Sequence, residues 1–135
     1  MALIAWDQSY SVGVRRCDEQ HRRLFALLNA LHSAMSVGKG QSIIMPIVAE
    51  LQSYTEYHFS TEEVLMQQTK YPSLAAHRDE HQKFVMQVDQ FRNNLESGLL
   101  INPVNVMQFL RAWLANHIQQ TDRAFGPHLN ACGIN

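Results

Sequence analysis

The sequence predicts an all-α protein: an antiparallel up-down-up-down four-helix bundle preceded by an irregular N-terminal segment. Three observations predict it. Apolar residues recur at three- and four-residue intervals along nearly the whole chain, while the period-two Val and Ile alternation of strands is missing. Punctuation is sparse, with only 6 Gly and 4 Pro, and it falls at a few places. The 135 residues read as one domain (1–135), enough for four helices of 20-odd residues, each ~30 Å long, joined by short connections.

Residues 1–17 read as an arm, with Gly13 in its last part. Asp18 is the expected N-cap of a first helix over about 18–37, closed by Gly38-Lys39-Gly40. Leu24, Leu27, Leu28, Leu31 and Met35 form its apolar face. A second helix covers about 41–68, with Pro46 expected in its first turn, where a missing N–H matters least, and Tyr71-Pro72 breaking it. Its stripe is Ile44, Ile47, Val48, Leu51, Tyr54 and Leu65. The third, about 73–97, carries Phe84, Val85, Val88, Phe91 and Leu95 and ends at Gly98. Asn102 caps a fourth over about 103–125, with Pro103 at its first position and Gly126-Pro127 as its expected stop. Val106, Leu110, Trp113, Leu114 and Ile118 line that helix.

Composition excludes several function classes. Mean hydropathy is -0.23, and no apolar run approaches the ~20 residues that cross a bilayer, so no membrane span is expected. The start, MALIAWDQ, has neither the basic nor the apolar region of a secretory leader, which points to the cytoplasm. A net charge of -1 holds no general attraction for nucleic acid or anionic lipid. Cys17 and Cys132 are expected as free thiols, and neither belongs to a CxxC pair.

The unusual feature is 7 histidines beside only 17% charged residues. Five of them share the apolar stripes instead of pointing outward. His21 heads the face of Leu24 and Leu28; His58 follows Leu51 and Tyr54, with Glu62 one turn later. His77 and His81 lead into Phe84 and Val88, and His117 follows Leu110, Trp113 and Leu114. An antiparallel arrangement brings all of these to one end of the bundle. Burying one unsatisfied polar group costs ~2–7 kcal/mol, and a charge costs more, so such a cluster needs a partner. A metal supplies one, by taking imidazole lone pairs and cancelling carboxylate charge. Asp122 fits least well. Five residues after His117 it lies ~140° away around an ideal helix, so either the helix distorts there or Asp122 approaches from the rim. His32 lies ~16 Å deeper than His21 and is expected to be a hydrogen-bonded bundle residue. His128 is expected to be exposed, and Glu63, ~100° from Glu62, to form an outward salt bridge.

The stretches DEQHRRLFALLNALHSAM (18–35), HFSTEEVLMQQTKYP (58–72), HRDEHQKF (77–84) and WLANHIQQTD (113–122) resemble the hemerythrin family, and within it the single-domain bacterial members. The resemblance spans nearly the whole chain. It implies a non-haem di-iron site, two irons per chain with an oxo or hydroxo bridge, and every ligand position is filled. By that resemblance His77, His81 and His117 bind one iron, His21 and His58 the other, and Glu62 and Asp122 bridge them. It further implies reversible O2 binding for storage, transport or delivery, with O2 end-on as hydroperoxide at the five-coordinate iron. The formal charge of such a cluster is unchanged by oxygenation, so no large solvation term opposes release. The counterparts of the family's O2 pocket are Leu24, Phe59, Trp113, Leu114 and Ile118, apolar residues that keep out water and protons. A monomer, with an oxygen-consuming enzyme as recipient, completes what the resemblance implies.

A di-iron enzyme or a sensor acting on O2, peroxide or NO is the alternative. The ferritin-like oxidase pattern needs Glu-x-x-His on two helices, and the tetrapeptide is missing from this chain. A sensor is expected to need a second domain for its output, which these 135 residues are not expected to hold, and a phosphotransfer bundle needs one exposed histidine, not five inward ones.

Overall fold

The computed structural model describes residues 4–98 and 102–135; the first three residues of the expected arm and residues 99–101 of the last connection lie outside the described residues. A single 3-10 turn, Gln8–Tyr10, interrupts the arm. Helix α1 then runs Arg15–Ser36, three residues earlier than expected, and its N-cap, Val14, makes no side-chain hydrogen bond. Asp18 is therefore not the cap. Its carboxylate lies in the first turn and accepts from the Val12 N–H at 2.9 Å and the Ser11 hydroxyl at 2.7 Å. It pins the arm across the end of α1, where the helix dipole favours an anion.

Helix α2, Gly40–Gln68, starts early enough that Pro46 falls in its second turn, not the first. Its end is set by Lys70, which takes φ 55 and lets the Tyr71 N–H return to the Met66 carbonyl at 2.9 Å. The helix is thus closed before Tyr71-Pro72 could break it. Helix α3 spans Leu74–Glu96, and Gly98 follows with φ 80. Helix α4, Pro103–Asn116, begins as expected, the Asn102 side chain accepting from the Val104 N–H at 3.0 Å.

The end of the chain departs from expectation. A π-helical segment, His117–Asp122, leads into α5, Arg123–Ala131, which passes straight through Gly126-Pro127. Gly126 answers a contact, not a stop. A Cβ there would lie 1.8 Å from the Val12 carbonyl oxygen, so only glycine lets the arm lie against α5.

Helix α1 packs along α2, α2 along α3, and α4 returns to α1, giving the four-helix bundle. Leu24, Leu28, Leu31, Ile44, Leu51, Phe84, Leu110 and Phe125 are among its fully buried side chains. No strand occurs among the described residues, and no helix there is long and apolar enough to cross a membrane. Both cysteines are free, Cys17 buried and Cys132 exposed.

Candidate metal centre

One end of the bundle collects chemistry from every layer. Helix α1 presents His21, α2 His58 and Glu62, α3 His77 and His81, and the π segment His117 and Asp122. None exceeds 3% exposure. The π segment resolves the spacing of Asp122. Hydrogen bonds of the i→i+5 type stack residues five apart, and His117 Nε2 lies 3.0 Å from Asp122 Oδ1. The helix distorts; the carboxylate does not come from the rim.

The ring nitrogens converge on the two carboxylates. Asp122 Oδ1 is 2.8 Å from His77 Nε2, and Asp122 Oδ2 is 3.0 Å from His21 Nε2. Glu62 Oε1 is 3.1 Å from His81 Nε2 and 3.3 Å from His58 Nε2. Two overlapping donor sets result, the atoms of each lying within 4.8 Å of one another: Glu62, His77, His81, His117 and Asp122, and His21, His58, Glu62 and Asp122. Both carboxylates belong to both sets.

Electrostatics keep the cluster poised for cations. Burial lowers His58 to about 4, with Glu62 only partly opposing it. Burial also works against a charge on His77, but the close carboxylates of Asp122 and Glu62 outweigh it and raise His77 to about 10. Burial and the Asp122 charge push Glu62 up, yet the surrounding imidazoles, His58 first, bring it down to about 2. Asp122 ends well below the usual carboxylate range, because His117, His21 and His77 outweigh its burial. The carboxylates stay anionic. Even so, both oxygens of Glu62 and of Asp122, and both ring nitrogens of His21 and His77, complete no hydrogen bond within the protein. Buried polar atoms are almost always satisfied; imidazoles and carboxylates left open in two shared sets fit a pair of cations.

Around this cluster lie partners that the spacing did not reveal. Glu63 forms the expected salt bridge, its Oε1 accepting from Arg78 Nε at 2.8 Å, but it is half-buried and its Oε2 also lies 3.1 Å from His81 Nδ1. Gln20, also buried, places Oε1 2.5 Å from His58 Nδ1. The signal that could have found them is the need of a ligand imidazole for an acceptor at its far nitrogen. Helical position relative to the apolar stripe carries no such information.

Of the five expected pocket residues, Leu24, Phe59, Leu114 and Ile118 are buried. Trp113 is half-buried and stacks on His117 at 4.3 Å between ring centroids, while Phe59 stacks on His81 at 3.9 Å. His32 is half-buried and makes no side-chain hydrogen bond among the described residues, contrary to expectation. His128 is not exposed either. Because α5 continues past Pro127, its ring turns toward the end of α2 and Nε2 donates to the Thr69 carbonyl at 2.8 Å.

A helical bundle that gathers five buried imidazoles and two buried carboxylates at one end defines a class, the bundles with a histidine–carboxylate cation site. Residues 12–129 match the hemerythrin HHE cation-binding domain, and the chain belongs to the hemerythrin family. It is 34% identical over 131 residues to a bacteriohemerythrin of Stenotrophomonas maltophilia (strain R551-3), covering 97% of this chain and 84% of that one. It is 33% identical over 132 residues to the bacteriohemerythrin of Methylococcus capsulatus (strain Bath), covering 97% and 100%. A crystal structure of wild-type hemerythrin superposes with a TM-score of 0.87 at 32% identity, covering 95% of this chain and 98% of that one.

Proposed function

We propose that this protein binds O2 reversibly at a di-iron centre, as a store or carrier and not as an enzyme. One observation carries the reading: the two donor sets share their carboxylates but hold unequal numbers of histidines, three in one and two in the other. An iron held by His77, His81 and His117 would be closed by the shared Glu62, Asp122 and an oxo or hydroxo bridge. Its neighbour on His21 and His58 would keep one position open, where the family resemblance places end-on O2. The irons supply the electrons and the vacant position that O2 needs.

The chain supplies the surroundings. Glu62 and Asp122, held as anions, offset the cation charge inside a low-dielectric core. Leu24, Phe59, Leu114 and Ile118 seal the site from water, whose protons would otherwise favour loss of peroxide and a ferric dead end. A cytoplasmic monomer serving an oxygen-consuming enzyme is the setting this reading implies. The test is reversibility. The iron-loaded protein is reduced without O2, exposed to it, then purged while the visible charge-transfer bands are followed. Bands that appear and vanish over repeated cycles support a carrier. One-way bleaching with turnover of a substrate supports a di-iron enzyme instead, and fewer than two irons per chain overturns both.

A further inference from the structure

Each donor set contains one imidazole whose far nitrogen is engaged by an outer side chain, and the two outer side chains differ in charge. In the three-histidine set, His81 Nε2 faces Glu62 Oε1 at 3.1 Å and His117 Nε2 at 3.2 Å. With Nε2 turned inward, Nδ1 carries the proton and donates to Glu63 Oε2 at 3.1 Å. Arg78 Nε holds the other oxygen of that carboxylate at 2.8 Å. In the two-histidine set, the corresponding partner of His58 is the neutral amide oxygen of Gln20 at 2.5 Å. The Nδ1 atoms of His21, His77 and His117 complete no hydrogen bond. The hydrogen-bonded outer partners are therefore one per set, a carboxylate on one side and an amide on the other, and Glu80 Oε1, 3.6 Å from His117 Nδ1, puts a second carboxylate beside the three-histidine set.

We infer that Glu63, clamped by Arg78, is a positioning residue that fixes the His81 tautomer and makes the three-histidine position the tighter of two unequal metal positions. A carboxylate acceptor increases the electron density that an imidazole offers at its other nitrogen, and an amide does so less. The Glu63 charge thus adds to the advantage that a third histidine already provides. Phe59, stacked flat on His81 at 3.9 Å, packs against one face of the ring and restrains its tilt. The inference rests on the two-iron reading above.

Two variants at Glu63 separate charge from geometry, and the side chain is 24% exposed, so neither opens the core. Fe(II) is titrated anaerobically into stripped protein in competition with a chromophoric chelator, which yields two affinities per chain. Long-range proton–nitrogen NMR of the stripped protein reads the His81 tautomer, and circular dichroism checks the fold. Glu63→Gln is expected to keep the tautomer, weaken the tighter equivalent about ten-fold or more, and leave the weaker one unchanged. Glu63→Ala is expected also to shift His81 toward the Nε2–H tautomer. Wild-type affinities in both variants, or equal weakening of both equivalents, overturn the role given to Glu63. Wild-type protein that takes up fewer than two equivalents overturns the two-iron reading and this inference together.

Discussion

His58 and His77 stand in one buried cluster and are pushed in opposite directions. Burial favours the neutral ring in both. His58 obeys it and falls to about 4, whereas His77, 2.8 Å from Asp122, is raised to about 10. Without metal, His77 therefore holds a proton at neutral pH that a cation must displace, and His58 holds none. His117 is raised as well, burial being outweighed by Asp122. The sign follows: a group protonated up to about 10 competes with metal below that pH, so affinity rises as pH rises. From His77 alone the gain is about ten-fold per pH unit below about pH 10. Calorimetric titration with Fe(II) in two buffers of different ionisation enthalpy is expected to show at least one proton released per chain at pH 7.5; none released contradicts the raised His77. A second residue-scale expectation concerns the seal. Leu114 is 1% exposed, and Trp113 lies flat on His117. Leu114→Ala and Trp113→Ala should each accelerate autoxidation of the oxygenated protein. Unchanged bleaching rates in both would remove the water-exclusion role.

At the scale of elements, the part legible in the sequence is what periodicity reports. The stripes of Leu24 to Met35, Ile44 to Leu65, Phe84 to Leu95 and Val106 to Ile118 located the helices, and their shared face exposed His21, His58, Glu62, His77, His81 and His117 as residues out of place. What stayed illegible is local geometry that no period encodes. Asp122 looked misplaced because a π turn leaves no mark in a hydropathy pattern. Asp18 has the residue type of a cap, but its partners, Ser11 and Val12, precede the helix rather than lie within it. Gly126 has the residue type of a stop, but its partner, the Val12 carbonyl, lies at the other end of the chain. That last residue allows a test. A methyl group at position 126 would overlap the Val12 carbonyl, at 1.8 Å from its oxygen, so the arm or α5 must move. Gly126→Ala is expected to cost about 1–3 kcal/mol, the usual penalty of overpacking, despite alanine's better helix propensity. Urea unfolding reads this as a lower midpoint with unchanged slope. A midpoint at or above wild type would show that the arm does not press on α5.

For the whole molecule, the two ends of the bundle are held together differently. Away from the site, Leu28, Leu31, Ile44, Val106 and Leu110 form an apolar interior that is no more than 1% exposed and needs no ligand. At the site end, buried ring nitrogens and carboxylate oxygens complete no hydrogen bond within the protein, a burden the packing around them must offset. Metal binding relieves that burden in the native state and has no preformed site in the unfolded chain, so its free energy is stability. At a metal concentration of 100 times the dissociation constant the gain is about 2.7 kcal/mol, a rise in Tm on the order of 10 °C for a domain of this size. Removing the metal should therefore lower Tm without abolishing helicity, because the apolar half survives. Amide exchange would then report where the stability went. Protection should fall first in the opening turns of α1 and α3, the closing turns of α2 and the π segment, while the centre and far end of α1 stay slow. Stripped protein with an unchanged Tm would mean that the polar cluster is satisfied by other means. Protection lost evenly along every helix would mean that the bundle is a single cooperative unit and that its apolar half cannot stand without the metal end.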